Sequence, residues 1–198
     1  FAAPPAPCRH VRWDLAANLT PLCRDNQLQY PGLSAAQGRH SDVGQVTGDA
    51  LDFALETLAI EQAALRERLM QLYLTLDAFP EVPDVLGRLK MAGLQTAILS
   101  NGSPKMLEAV VKGAKLEGLL DAVLSVEAVG VYKPHPKVYQ LALDRIGVPV
   151  RAISFQSSNA WVAYAASAFA MPFVRHHRYG PRPERIPLAP RRDIPAPP

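Results

Sequence analysis

Three short stretches of this sequence place polar side chains where an apolar run stops. In Ile98-Leu99-Ser100-Asn101-Gly102-Ser103-Pro104, the glycine permits a tight turn and the proline suits the first turn of a following helix. Backbone N–H groups at such a helix start point at whatever occupies the turn, which suits an anion. In Val131-Tyr132-Lys133-Pro134-His135-Pro136, two prolines stiffen the chain and hold Lys133 extended. Ser157-Ser158-Asn159-Ala160-Trp161 again supplies hydroxyl and amide groups with no long spacer. Together the three offer one ammonium and several neutral donors, a set that stabilises negative charge on a small ligand. Each also has a plainer reading: Ser103 as a helix cap with Ser100 and Asn101 serving the turn, Lys133 as a surface lysine, Ser157 to Asn159 as a second cap, Trp161 as core. A site follows only if the elements carrying these stretches bring them to one edge.

Those elements are legible. The runs "LQTAILS", "DAVLSVE", "RAISFQSS" and "MPFVRHH" are short, apolar and rich in branched residues, and helical patterns at 104–114, 136–146 and 159–169 separate them. Strand alternating with helix predicts parallel pairing through right-handed crossovers, with ligand sites in the loops after the strands. Upstream, apolar residues recur at helical spacing from Val46 to Leu76 and predict a helical pair. A third helix is expected after "FPEVPD", with Val82, Val85, Leu86 and Leu89 on one stripe and Gly93 as its stop.

Composition sets the outer bounds. The 198 residues, 48% hydrophobic and 20% charged, suit one domain or a domain with a small insertion. A net charge of +3 is too small to imply a polyanion partner, and much of the positive charge lies in a proline- and arginine-alternating tail from Arg175 to Arg192. That tail reads as solvated, with no nucleic-acid role expected. Only Cys8 and Cys23 are present, which makes no disulfide framework and favours a reducing cytoplasm. No apolar run approaches the roughly 20 residues that span a bilayer, so no membrane role is expected. The opening "FAAPPAPC" reads as an irregular or truncated start rather than a secretion signal.

In their order and spacing, "ILSNGSP", "VYKPHPKVY" and "SSNAW", together with "RDNQLQY" and "EVPDVLGRLKMAGL", resemble the type II L-2-haloacid dehalogenases of the haloacid dehalogenase superfamily, from about Leu22 to about Phe173. The resemblance implies an α/β fold: a Rossmann-like parallel sheet at 9–20 and 80–178, a helical cap at 22–78, and an irregular tail at 179–198. It implies hydrolysis of small (S)-2-haloalkanoic acids to (R)-2-hydroxy acids without metal or organic cofactor. An aspartate carboxylate displaces halide from C2, and water then hydrolyses the ester. By matching motifs, Ser100 would help bind the substrate carboxylate, and Arg24 and Asn101 would face the departing halide. Lys133 would lower the barrier by its charge, Tyr139 and Ser157 would orient it, and Asn159 and Trp161 would line the pocket. The cap helices suggest a possible homodimer.

Two motifs depart from the family pattern. Its first strand ends D-x-Y-G-T; the nearest match here is "VRWDLAANL", which offers Asp14 as nucleophile but Ala16, Ala17 and Asn18 in the following positions. Alternatively, the true first strand is lost and "VRWDL" is accidental. The family's S-S-N-A-W-D closes on an acid that activates water, where this chain has Val162, which accepts no proton. A superfamily phosphatase is less favoured, because Ala16 and "SSNAWVAYA" withhold the carboxylates a hard divalent cation needs. A non-catalytic or impaired relative that keeps the anion pocket is the other reading.

Overall fold

The computed structural model describes residues 13–38, 40–177 and 192–195, and for 13–16, 35–36, 177 and 192–195 the backbone alone. The chain divides after Gly130 into two compact units, a cut inside the range 80–178 that the sequence reading gave to one core.

The first unit opens on three helices: α1 (Trp13–Ala36), α2 (Val43–Thr57) and α3 (Ala63–Leu72). Asp42 starts α2, its Oδ1 accepting from the amides of Gly44 at 2.7 Å and Gln45 at 3.3 Å. Leu19 and Cys23 of α1 pack with Leu51, Ala54 and Leu55 of α2 and with Ile60, and Leu65 and Leu69 of α3 close the cluster. Each fully buried leucine contributes about 1.5–3 kcal/mol. The bidentate Arg66–Asp52 pair, with Nη2 to Oδ2 at 2.8 Å, ties α3 to α2. The helical pair expected at 46–76 is thus present as α2 and α3.

The helix α1 corrects the strand expected at "VRWDL". Val11 and Arg12 lie outside the described residues, but Trp13, Asp14 and Leu15 form the first turn of a 24-residue helix. The reason is visible in the spacing: Leu15, Leu19, Leu22 and Cys23 recur at i, i+4, i+7 and i+8, a helical stripe, and Leu19, Leu22 and Cys23 meet the apolar face of α2. The helix runs without a break across the boundary the sequence reading drew between core and cap.

The unit continues through α4 (Val82–Met91), β1 (Ala97–Ser100), α5 (Pro104–Gly113) and β2 (Ala122–Ser125). Gly93 ends α4 as expected: at φ +74° it adopts the left-handed conformation that other residues resist, and the Leu94 amide donates to the Leu89 carbonyl at 3.1 Å. The strands pair in parallel, from Ala97 beside Ala122 to Ser100 beside Ser125. Their entry is fixed by Asp121, whose Oδ2 accepts from the Thr96 amide at 2.7 Å, and by the Thr96 hydroxyl, which donates to the Leu119 carbonyl at 2.6 Å. Parallel strands require a crossover, and α5 provides it, burying Leu107, Val110 and Val111.

The second unit holds α6 (Pro136–Ile146), β3 (Phe155–Ser157), α7 (Ala160–Ala168), β4 (Phe173–His177) and β5 (Arg192–Pro195). Its sheet has the order β3-β4-β5, all parallel, with Phe155 beside Phe173 and Ser157 beside Arg175. The Tyr139 ring of α6 meets Phe155 edge-on at 5.8 Å and 74°. The β5 strand corrects the irregular tail at 179–198. Arg192–Pro195 supplies backbone partners to β4 at the sheet edge, where proline is tolerated, whereas 178–191 and 196–198 lie outside the described residues. The expected parallel pairing holds throughout, in two hydrogen-bonded groups rather than the one sheet expected. Among the described residues no helix is long and apolar enough to cross a membrane.

Candidate active site

The strands β1, β2 and β3 end alike. At each carboxyl end stands a serine whose Oγ accepts the amide proton two residues on: Ser100 from Gly102 at 3.0 Å, Ser125 from Glu127 at 3.2 Å, and Ser157 from Asn159 at 3.1 Å. A serine that closes on its own backbone turns the chain sharply out of the sheet. In the first unit the Ser125 hydroxyl also donates to the Gly102 carbonyl at 2.7 Å, so the Ser100-Asn101-Gly102 turn is held from both sides. Ser125 was not among the residues singled out from sequence. Its signal was there, a lone serine ending "AVLS", without the polar neighbours that drew notice to the other two.

Gly102 is closely packed in that turn. A Cβ there would lie 3.0 Å from Leu107 Cδ2 and 3.3 Å from Ser100 Oγ, and Leu107 is itself buried. Gly102→Ala is therefore expected to lower stability by about 1–3 kcal/mol, the usual effect of overpacking, and to displace Ser100. Urea unfolding of the two proteins measures it, and an unchanged midpoint would contradict the tight packing. Ser103 does what its plainer reading expected: its Oγ caps α5, accepting from the Met106 amide at 3.5 Å. Asn101 stands half-buried between Ser100 and Gly102.

Arg24 lies on α1, its Nη1 donating to Gln27 Oε1 at 2.9 Å. The backbone of Asp14 lies in the first turn of the same helix rather than at a strand end; its side chain lies outside the described residues.

In the second unit, Lys133 precedes α6 on a stretch where Tyr132 is wholly buried, and burial of its ammonium lowers its pKa to about 8. Desolvation does this by penalising the charged form. His135 caps α6, its Nδ1 accepting from the Lys137 amide at 3.2 Å. Tyr139 is also wholly buried; its hydroxyl donates to the Val162 carbonyl at 2.9 Å, and burial pushes its pKa well above the ordinary tyrosine range, so it stays neutral. Asn159 caps α7, its Oδ1 accepting from the amides of Trp161 at 2.9 Å and Val162 at 3.2 Å. Trp161 is half exposed, against the reading of it as core. The structure thus gathers Ser157, Asn159, Tyr139 and Trp161 about the first turn of α7, and Ser100 with Asn101 on one loop of the other unit.

A family model described as haloacid dehalogenase-like hydrolase matches residues 20–168. The chain is 42% identical over 178 residues to (S)-2-haloacid dehalogenase 1 of Pseudomonas sp. (strain CBS-3), covering 89% of this chain and 78% of that protein. Among solved structures, a dehalogenase with an intermediate complex superposes with TM-score 0.87 at 39% identity, covering 90% of this chain and 80% of that one. The L-2-haloacid dehalogenase of Xanthobacter autotrophicus with chloropropionic acid covalently bound superposes with TM-score 0.80 at 36% identity, covering 88% of this chain and 71% of that one.

Proposed function

We propose, from the premise that this chain belongs to the haloacid dehalogenase-like hydrolase family, that it hydrolyses small (S)-2-haloalkanoic acids to (R)-2-hydroxy acids through an aspartyl ester, with no metal or organic cofactor. One observation carries the reading: the chain is 42% identical over 178 residues to an (S)-2-haloacid dehalogenase; within the first unit the strand-end turn at Ser100, and within the second the strand-end turn at Ser157 and the desolvated ammonium at Lys133, support it.

The chemistry is a displacement followed by a hydrolysis. A carboxylate oxygen, proposed to be that of Asp14, attacks C2 from the side opposite the halogen. The new C–O bond forms as the C–X bond breaks, and the pair of electrons leaves with the halide. Water then adds to the ester carbonyl, the carboxylate is regenerated, and the net products are 2-hydroxy acid, halide and one proton. Substrate carboxylate, nucleophile and halide are all anionic or becoming so, and fixed donors and cations lower that barrier. Ser100 holds the substrate carboxylate. Asn101 and Arg24 face the halide. Lys133 supplies the charge, with Tyr139 and Ser157 fixing its surroundings, and Asn159 and Trp161 line the pocket.

The first step is tested by incubating the folded chain with each enantiomer of 2-chloropropionate and measuring chloride. Release from the (S) form alone is expected; release from neither removes catalysis. A second reading, a pocket that binds the acid without turning it over, is favoured by the helical first turn at Asp14 and by valine at 162. It differs in the outcome: (S)-2-chloropropionate binds, and no chloride appears. The proposal also places the protein in the cytoplasm, supported by the scarcity of cysteine, with Cys23 a buried free thiol and Cys8 outside the described residues. It further includes a homodimer formed through the cap, where Phe53 of α2 is 44% exposed.

A further inference from the structure

Two helices of the first unit meet at one side-chain amide. Gln27 of α1 accepts from Arg24 Nη1 at 2.9 Å, and its Nε2 donates to the hydroxyl of Thr47 on α2 at 3.0 Å. Tyr73 ends α3. Thr47 is 0% exposed, a hydroxyl buried in an otherwise apolar cap. Burying a hydroxyl is unfavourable unless it is bonded, so the Gln27–Thr47 contact is a fixed feature of the helix packing. An exposed arginine–glutamine pair three residues apart would by itself restrain little. Here the glutamine is anchored on α2 through the buried Thr47 hydroxyl, so its Oε1 presents a stationary acceptor to a long, mobile side chain.

The charge pattern matters as much as the geometry. Burial raises the pKa values of the Cys23 thiol and the Tyr73 phenol, which keeps both neutral. A neutral amide, unlike a carboxylate, orients the Arg24 guanidinium without cancelling its charge. An arriving anion therefore meets a cation already in place.

We infer that Gln27 is a positioning residue for Arg24: seated on the buried hydroxyl of Thr47, it holds the guanidinium in the orientation that receives the departing halide. This rests on the role given to Arg24 in the proposed function.

The test uses bromide as the probe, read both as product inhibition of 2-bromopropionate turnover and, without turnover, as displacement of chloride followed by chloride line broadening in solution. Gln27→Leu and Thr47→Val are each expected to weaken bromide binding about fivefold, the value of one hydrogen bond. Gln27→Glu, which keeps the contact but cancels the charge, is expected to weaken it at least as much with an unchanged unfolding midpoint, a result that a purely structural role would not give. Should Thr47→Val fail to fold, Gln27→Leu, on a partly exposed helix position, carries the measurement. Wild-type bromide affinity in Gln27→Leu and Gln27→Glu, with Arg24→Gln weakened, would overturn the inference and leave the proposed function standing. Wild-type affinity in Arg24→Gln as well would overturn both.

Discussion

Replacing Lys133 with methionine is expected to lower chloride release from (S)-2-chloropropionate by about 10²–10³-fold, the usual effect of removing one preorganised electrostatic group. The same change is expected to raise stability. Both follow from the burial that brings the lysine pKa to about 8, against 10.5 for the free side chain. Between those values the unfolded chain binds more protons than the folded one, so wild-type stability rises with pH across that window, by up to about 3 kcal/mol. Catalysis moves the other way. It needs the ammonium, so the rate falls about tenfold per pH unit above 8. A protein that becomes more stable and less active over the same interval is a specific signature of one desolvated lysine. Lys133→Met should lose both slopes together, as read by urea unfolding and by chloride release from pH 7 to 10. If the variant keeps the alkaline fall in activity, some other group titrates and Lys133 is not the essential cation.

Val162→Asp is expected to act in the opposite direction, raising steady-state turnover by about 10²-fold, the value of a positioned general base. Val162 lies in the first turn of α7, where Asn159 caps the helix and the Tyr139 hydroxyl fixes the Val162 carbonyl at 2.9 Å. An acid at this third helical position is electrostatically favourable, because it faces the positive end of the helix dipole. The wild-type chain has no carboxylate there to take a proton from water, so the ester should form faster than it breaks down. Stopped-flow measurement of chloride should then show a burst of up to one equivalent per chain followed by a slow phase in the wild type, and a fast linear phase in the variant. Equal linear rates in the two proteins would mean that water is activated elsewhere.

How much of this could be read from the letters depends on the range of the interactions involved. The strands β1 to β4 were legible because each is a branched apolar run stopped by serine or by the end of the run, and α4 because Gly93 supplies a left-handed stop. The first helix was not, since Trp13–Leu15 alternates like a strand, Pro21 and Pro31 interrupt the helical pattern, and the stripe at Leu19, Leu22 and Cys23 becomes decisive only when α2 is present to pack against it. The β5 strand escaped notice because its pairing lies in backbone groups, which carry no side-chain signature, in a segment rich in proline and arginine. At the site, the strand-end serines and the caps were local and therefore visible. Gln27 and Thr47 are 20 positions apart and meet only through the packing of two helices, so nothing in the spacing marked them.

The most direct measurement is the intact mass of the folded chain quenched with acid after mixing with (S)-2-chloropropionate, followed by peptide mapping. One added 1-carboxyethyl group on the peptide containing Asp14, matched by one equivalent of chloride, is the expected result. Folded protein that stays unmodified while releasing no chloride would contradict covalent displacement, and a modification on another carboxylate would remove Asp14 as its origin.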